Sequence, residues 1–228
     1  ILTKNNILGA SHKTRWAKKF NIPQQEEMVF FAGCGYQFLD EGEATLPMVL
    51  AMDKAELPWE KTLEVTKAFN RVGINLSEVC GKLTFHSNFS GEPLRCAFAV
   101  LQKMKVKLGF LFEEEPCCAG PLFYGGFQKE FATRAGVTHC LLKSKGVKGL
   151  ITMVPSCTYI LKKLFPAFVE GWEIEVRHFV EVVRKGIREG MRFRLPQKIK
   201  VTYHDPCVMS RLLYMTEEPR EILQNIDG

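Results

Sequence analysis

Lys148–Cys157 reads KGLITMVPSC: an apolar run of strand length, GLITMV, passes into a turn at Pro155 and delivers Cys157 just beyond it. The same form stands near the amino end, where Glu27–Cys34, EMVFFAGC, reads as a buried strand handing over to Gly33 and Cys34. In Leu108–Cys118, LGFLFEEEPCC, a short apolar run precedes the adjacent pair Cys117 and Cys118. In Gln197–Cys207, QKIKVTYHDPC, an alternating strand pattern ends in His204, Asp205, Pro206 and Cys207. Four times a cysteine follows the carboxyl end of an expected strand, and that edge of an open parallel sheet is where ligands bind. The expected fold is therefore α/β, with helices on both faces of a parallel sheet and cysteine-bearing loops at the C-terminal edge of the strands.

Helical patterns separate these strands. LPMVLAMDKA reads as a helix, and WEKTLEVTKAFNRVG as an amphipathic one with Leu63, Val65, Ala68, Phe69 and Val72 near helical spacing and Gly73 as its stop. The following INLSEVCGKLTFHSNFSGEPLRC keeps no period and reads as an insertion. A helix is expected from Cys96 to about Lys107, further helical segments in FQKEFATRAGVTHCLLKSKG, and a helix in TYILKKLFPAFV interrupted at Pro166. IEVRHFVEVVRKGIREG reads as a strand passing into a helix.

Composition narrows the chemistry. The 228 residues are 46% hydrophobic and 25% charged, ordinary values for a globular chain. No apolar run reaches the roughly 18 residues of a membrane span, and the first residues lack the layout of a secretory signal. The +6 net charge is spread in short clusters such as RKGIREGMRFR, without the aromatic-interleaved basic stripe of a nucleic-acid surface, so no nucleic-acid partner is expected. Eight cysteines in a chain with enough core residues to fold without disulfides favour metal or redox chemistry.

Cys34, Cys117, Cys118, Cys157 and Cys207 follow the expected strands, whereas Cys80, Cys96 and Cys140 lie elsewhere. Neighbouring Cα atoms are only ~3.8 Å apart, which makes a disulfide between Cys117 and Cys118 a strained choice. Two thiolates on one turn repel unless a cation is supplied, and zinc or iron supplies it. Zinc sites usually carry paired Cys-x2-4-Cys knuckles, absent here, while loops gathered from distant strands suit an iron–sulfur cluster. Adjacent Gly and Pro residues let backbone N–H groups reach the sulfurs.

A cysteine, a long gap, CCAGPLFYGG, VPSC and then HDPC resemble the cysteine-rich CCG domain of heterodisulfide reductase catalytic subunits. The same domain occurs in the iron–sulfur subunits of glycolate oxidase and anaerobic glycerol-3-phosphate dehydrogenase. The resemblance implies a Rossmann-like half-domain whose complete repeat holds a non-cubane iron–sulfur cluster on five cysteines. Carried over, Cys34 matches the first cysteine, Cys117 and Cys118 the pair, and Cys157 the last, while Val154 stands where the family has a further cysteine and Ala119 where it has glycine. Cys207 matches the first cysteine of a second repeat. The resemblance thus implies metal and cofactor binding at Cys34, Cys117, Cys118, Cys157 and Cys207, with a 4Fe-4S cluster, cubane or non-cubane, and FAD only in a partner subunit.

It also implies an oxidoreductase subunit that takes electrons from a flavin-containing or ferredoxin-like partner and passes them to a disulfide or a quinone, the latter through a membrane quinone-reducing subunit. The implied location is cytoplasmic, or at the cytoplasmic face of a membrane through that partner. Two other readings stay open: a degenerate scaffold that docks partners without a cluster in its first half, and a zinc-stabilised interaction domain. The chain opens on Ile1 and stops in EEPREILQNIDG, so it is expected to be a piece of a longer protein. The expected organisation is a linker over 1–27 after a missing ferredoxin-like module, a first CCG domain over 28–190 with an insertion near 73–96, and the start of a second over 191–228.

Other residues carry alternatives. His204 and Asp205 read as a proton relay beside Cys207 or as a turn held by the Asp side chain. His86 with Cys80 and Cys96 offers loosely spaced zinc ligands, Cys140 beside Leu141 and Leu142 reads as core, and Tyr124 and Tyr159 read as aromatic packing near the cysteine loops.

Overall fold

Three short parallel strands, β1 (Met28–Phe31), β2 (Gly149–Thr152) and β3 (Glu175–His178), lie side by side in that order. The computed structural model describes residues 14–38, 46–47, 50–56, 68–69, 72 and 91–228. Met28 pairs with Gly149, which pairs with Glu175, and the register runs to Phe31, Thr152 and His178 at the other end. Successive strand residues feed different cores. Val29, Phe31 and Leu150 pack with Phe131, Ile160 and Phe165, while Phe30, Ala32 and Ile151 pack with Trp16, Leu94, Phe98 and Leu101. A strand covered on both sides reads as an unbroken apolar run, which is why MVFF and GLIT do not alternate with polar residues.

The helices of the first core are α3 (Gly120–Tyr124), α4 (Gln128–Ser144), α5 (Pro155–Tyr159) and α6 (Phe165–Phe168). Between α5 and α6, residues Ile160–Leu164 are π-helical. Pro166, expected to interrupt this helix, instead sits in the first turn of α6, where its missing N–H costs no hydrogen bond. The second core is covered by α2 (Glu92–Lys103) and the 3-10 turn Arg15–Lys19. The preceding helix α1 (Gly33–Gln37) follows β1, and α7 (Phe179–Arg188) follows β3.

Three expectations are corrected. Helix α2 begins at Glu92, inside the stretch expected to be irregular, and ends at Lys103 rather than near Lys107, because Lys105 turns left-handed at φ +57°. Leu108–Phe112 makes one parallel bridge to β1, with Phe30 N–H donating to Gly109 O (2.8 Å) and Gly109 N–H to Met28 O (2.9 Å), and no strand. It stops because Phe112 turns at φ +51° into the 3-10 turn Phe112–Glu114. No strand forms before Cys207 either: residues 198–206 are irregular, and Ile199 and Val201 are 48% and 62% exposed. Alternation makes a strand only where a neighbour pairs with it and an apolar layer covers one face.

The C-terminal segment carries β4 (Phe193–Arg194), α8 (Cys207–Arg211), α9 (Glu217–Gln224) and β5 (Ile226–Asp227), with β4 parallel to β5. Arg184 of α7 reaches Glu218 (2.7 Å) and Glu221 (2.6 Å) of α9, and Arg188 also reaches Glu221 (2.6 Å). Of the helix expected over LPMVLAMDKA, residues 46–47 and 50–54 are described and helical. The helix expected over WEKTLEVTKAFNRVG, and Cys80 and His86, lie wholly or almost wholly outside the described residues. Among the described residues no helix is long and apolar enough to cross a membrane.

Candidate metal centre

Cys34 enters the site from the first turn of α1, three residues beyond β1. The chain makes that turn at Gly33, whose φ of +72° suits glycine, and a Cβ there would lie 3.0 Å from Val154 Cγ2 and 3.1 Å from Cys157 Sγ. Glu115 binds this turn from a distance. Its carboxylate, 2% exposed, accepts N–H bonds from Ala32 (2.8 Å) and Gly33 (3.1 Å) and from the Gln37 side-chain amide. The start of α1 and the approach to Cys117 are thereby fastened together.

The other two members of the acidic run have their own partners: Thr14 Oγ1 donates to Glu113, and Lys145 pairs with Glu114 at 2.7 Å. Pro116 then leads into Cys117 and Cys118, which are 2% and 6% exposed. Ala119 follows in left-handed conformation at φ +61°, and its N–H donates to Cys117 Sγ at 3.4 Å. This is the position where the resemblance expects glycine, and the backbone explains why. Thr138 of α4 donates to Cys117 O at 3.3 Å and holds the pair from the other side.

Cys157 lies in the first turn of α5, beyond β2. Its loop is cross-braced: Thr152 and Thr158 hydroxyls meet at 2.7 Å, Thr158 donates to Val154 O at 3.1 Å, and His178 Nε2 lies 3.1 Å from Met153 O. His178 Nδ1 accepts from Val180 N–H while Glu181 accepts from His178 N–H, a reciprocal cap on α7. Burial holds this imidazole neutral, pushing it down to about 4 from its ordinary 6.5.

These loops set four sulfurs in a row. Cys34 Sγ is 3.9 Å from Cys117 Sγ, Cys118 Sγ is 3.3 Å from Cys157 Sγ, and the sequence itself joins Cys117 to Cys118. None of the described cysteines is in a disulfide. Hydrogen bonds from the Cys118 and Cys34 thiols and from Ala119 N–H pull Cys117 down to about 3, while its neighbours Cys117 and Cys157, then burial, push Cys118 up. Burial raises the Tyr124 phenol, a residue that is 54% exposed.

Among the described residues no three His, Cys, Asp or Glu side chains converge on a point that one metal ion could occupy. The donor set nonetheless fits an iron–sulfur group: soft thiols only, three of them buried and Cys34 partly so, with a backbone N–H already directed at sulfur. Val154, at the position of the further cysteine implied by the resemblance, rests its isopropyl group near Gly33 and Gly35, between the Cys34 and Cys157 turns.

Cys207 opens α8 and is exposed; α8 packs against α5, but the sulfur contacts do not extend to it. Its turn is held by Asp205, whose two oxygens take a two-pronged bond from Arg220 (2.8 and 2.6 Å). Arg220 also stands over the Tyr203 ring at 5.5 Å and holds Asp205 below the usual carboxylate range. Asp205 is thus bound as a structural group. Cys140, expected in the core, is exposed on α4, and Cys96 is exposed on α2, because neither lies on the stripe its helix buries.

Glu115, Arg134 and His178 were not evident as site residues from sequence. The signals were an acidic residue flush against Pro-Cys-Cys, and a His followed three residues later by Glu at a strand-to-helix junction. Arg134 lay in a helix with no motif around it.

Residues 79–162 match the family model of the cysteine-rich domain, CCG, a span that takes in Cys117, Cys118 and Cys157. The chain is similar to the EtfAB:quinone oxidoreductase of Syntrophomonas wolfei, 30% identical over 130 residues, or 57% of this chain and 18% of that protein. It is similar to one of the subunits of the dihydromethanophenazine:CoB–CoM heterodisulfide reductase of Methanosarcina mazei, 32% identical over 145 residues, 60% of this chain and 36% of that one. It is also similar to one of the subunits of the anaerobic glycerol-3-phosphate dehydrogenase of Escherichia coli, 30% identical over 127 residues, 52% and 32% of the two chains. The chain spans well under half the length of these three relatives. No solved structure matches it. Fold and site together define a cysteine-rich α/β protein. Its residues 79–162 are similar to the cysteine-rich domain of the CCG family.

Proposed function

We propose that the chain is part of an iron–sulfur subunit of a redox complex, with Cys34, Cys117, Cys118 and Cys157 holding the cluster and Cys207 belonging to a second site. The observation that carries this reading is the row of four thiols drawn from three loops, with Cys117, Cys118 and Cys157 buried and Cys34 partly so. A cluster bound there supplies reversible one-electron storage. The chain's own residues orient the ligands, through Glu115 at the Cys34 turn, Ala119 and Thr138 at the pair, and the Thr152–Thr158–His178 braces at Cys157. The similar proteins named above favour a flavin-containing or ferredoxin-like donor and a disulfide or quinone acceptor, either of which takes up two electrons and two protons. The Rossmann-like arrangement, the first domain over 28–190 and the second beginning at 191 belong to the same proposal.

Anaerobic purification with iron and acid-labile sulfide analysis tests it. Near-stoichiometric iron and sulfide are expected; iron-free protein that still binds a flavin-containing partner would overturn the reading in favour of a docking scaffold.

A further inference from the structure

We infer that Glu115 and Arg134 set the electron affinity of the cysteine centre in opposite directions, Glu115 lowering it and Arg134 raising it. The inference rests on the iron–sulfur reading proposed above. Among the described residues these are the two charged Asp, Glu, Lys or Arg side chains that are buried, at 2% and 5% exposure, and both belong to the walls of the thiol row.

Glu115 brings a negative charge to the turn that bears Cys34, through its bonds from Ala32 N–H and Gly33 N–H. Arg134 comes from α4. It lies on the buried face of α4 with Phe131, Ala135 and Thr138, one turn before the threonine that binds Cys117 O. In a dry site a unit charge acts far more strongly than in water. A fixed anion beside a centre that gains an electron opposes the gain, and a fixed cation favours it. Neither side chain is asked to touch iron; both are positioning residues.

The test uses the 228-residue chain purified anaerobically as wild type, E115Q, E115D, R134Q and R134K. Each is poised by equilibrium titration in which dithionite supplies one electron and ferricyanide removes it, with no ligand bond made or broken, and followed by electron paramagnetic resonance. At wild-type iron and sulfide content, E115Q is expected to shift the midpoint upward and R134Q downward, with E115D and R134K near wild type. Shifts of the same sign, or none, would overturn the inference. If E115Q loses its iron, the arginine pair decides, and R134Q matching R134K would overturn it. Loss of iron from both glutamine variants would show that the charges only hold the ligands, which also overturns it. Wild-type protein without iron or sulfide would instead sink the iron–sulfur reading itself.

Discussion

Pro116–Cys117 and Pro206–Cys207 are two turns of similar local sequence held in different ways. The first is buried and fixed by uncharged or fully enclosed partners: Glu115 on backbone N–H groups, Thr138 on the Cys117 carbonyl, Ala119 N–H on sulfur. The second is exposed and fixed by Asp205 and Arg220 at the surface, with the Arg184–Glu218 and Arg184–Glu221 pairs docking the next helix. Removing one partner of a buried hydrogen bond leaves the other to bear its full desolvation cost, whereas surface ion pairs are weakened simply by salt. The same Pro-Cys unit is thus rigid in one place and adjustable in the other.

The comparison breaks most severely if the two cysteines are exchanged as targets. Cys118→Ala is expected to abolish iron bound at the row, while Cys207→Ala leaves that iron in place; equal loss in both would show one shared site. Iron and sulfide content read this directly.

That much of the site followed from strand-then-cysteine patterns, since an apolar run with a turn behind it specifies both burial and edge. The apolar runs MVFF and GLIT became strands because both of their faces are covered. LGFLF and QKIKVTY did not, one because of the left-handed turn at Phe112 and the other for want of a paired neighbour, and neither cause lies in the run itself. Glu115 was hidden for a related reason: its partners are 82 and 83 residues away in sequence. Cys140 misled because helix neighbours in sequence point to different faces.

A second prediction probes the rigidity of the Cys157 loop through His178. The folded protein resists the proton that an unfolded imidazole accepts below about pH 6.5, so stability falls as pH drops from 6.5 to about 4 and is not further affected above that window. The depressed value corresponds to about 3 kcal/mol lost across it. His178→Asn is expected to flatten this slope in urea unfolding compared near neutral and near the acid end; an unchanged slope would remove His178 from the bracing.

Smaller effects sharpen the contrast. Ala119→Gly relieves a left-handed alanine and is expected to stabilise the buried turn by up to about 1 kcal/mol, measured by thermal unfolding. Arg220→Ala is expected to have the least effect on global stability, raising amide exchange around Cys207 at low salt and converging with wild type at high salt. A salt-independent change would mean that the ion pair is not what holds that turn.

The three consecutive glutamates have a consequence for the order of assembly. Glu113, Glu114 and Glu115 bind Thr14, Lys145 and the Ala32–Gly33 turn, partners separated from them by 99, 31 and 82 to 83 residues of sequence. A bond across so long a loop forms only after the intervening chain has collapsed, because closure entropy must be met before the contact stabilises anything. The acidic run is therefore the knot tied after the strands and helices are in place. Until it is tied, Cys34 and the Cys117–Cys118 pair remain separate thiols on separate loops, so the row of sulfurs comes together late in folding.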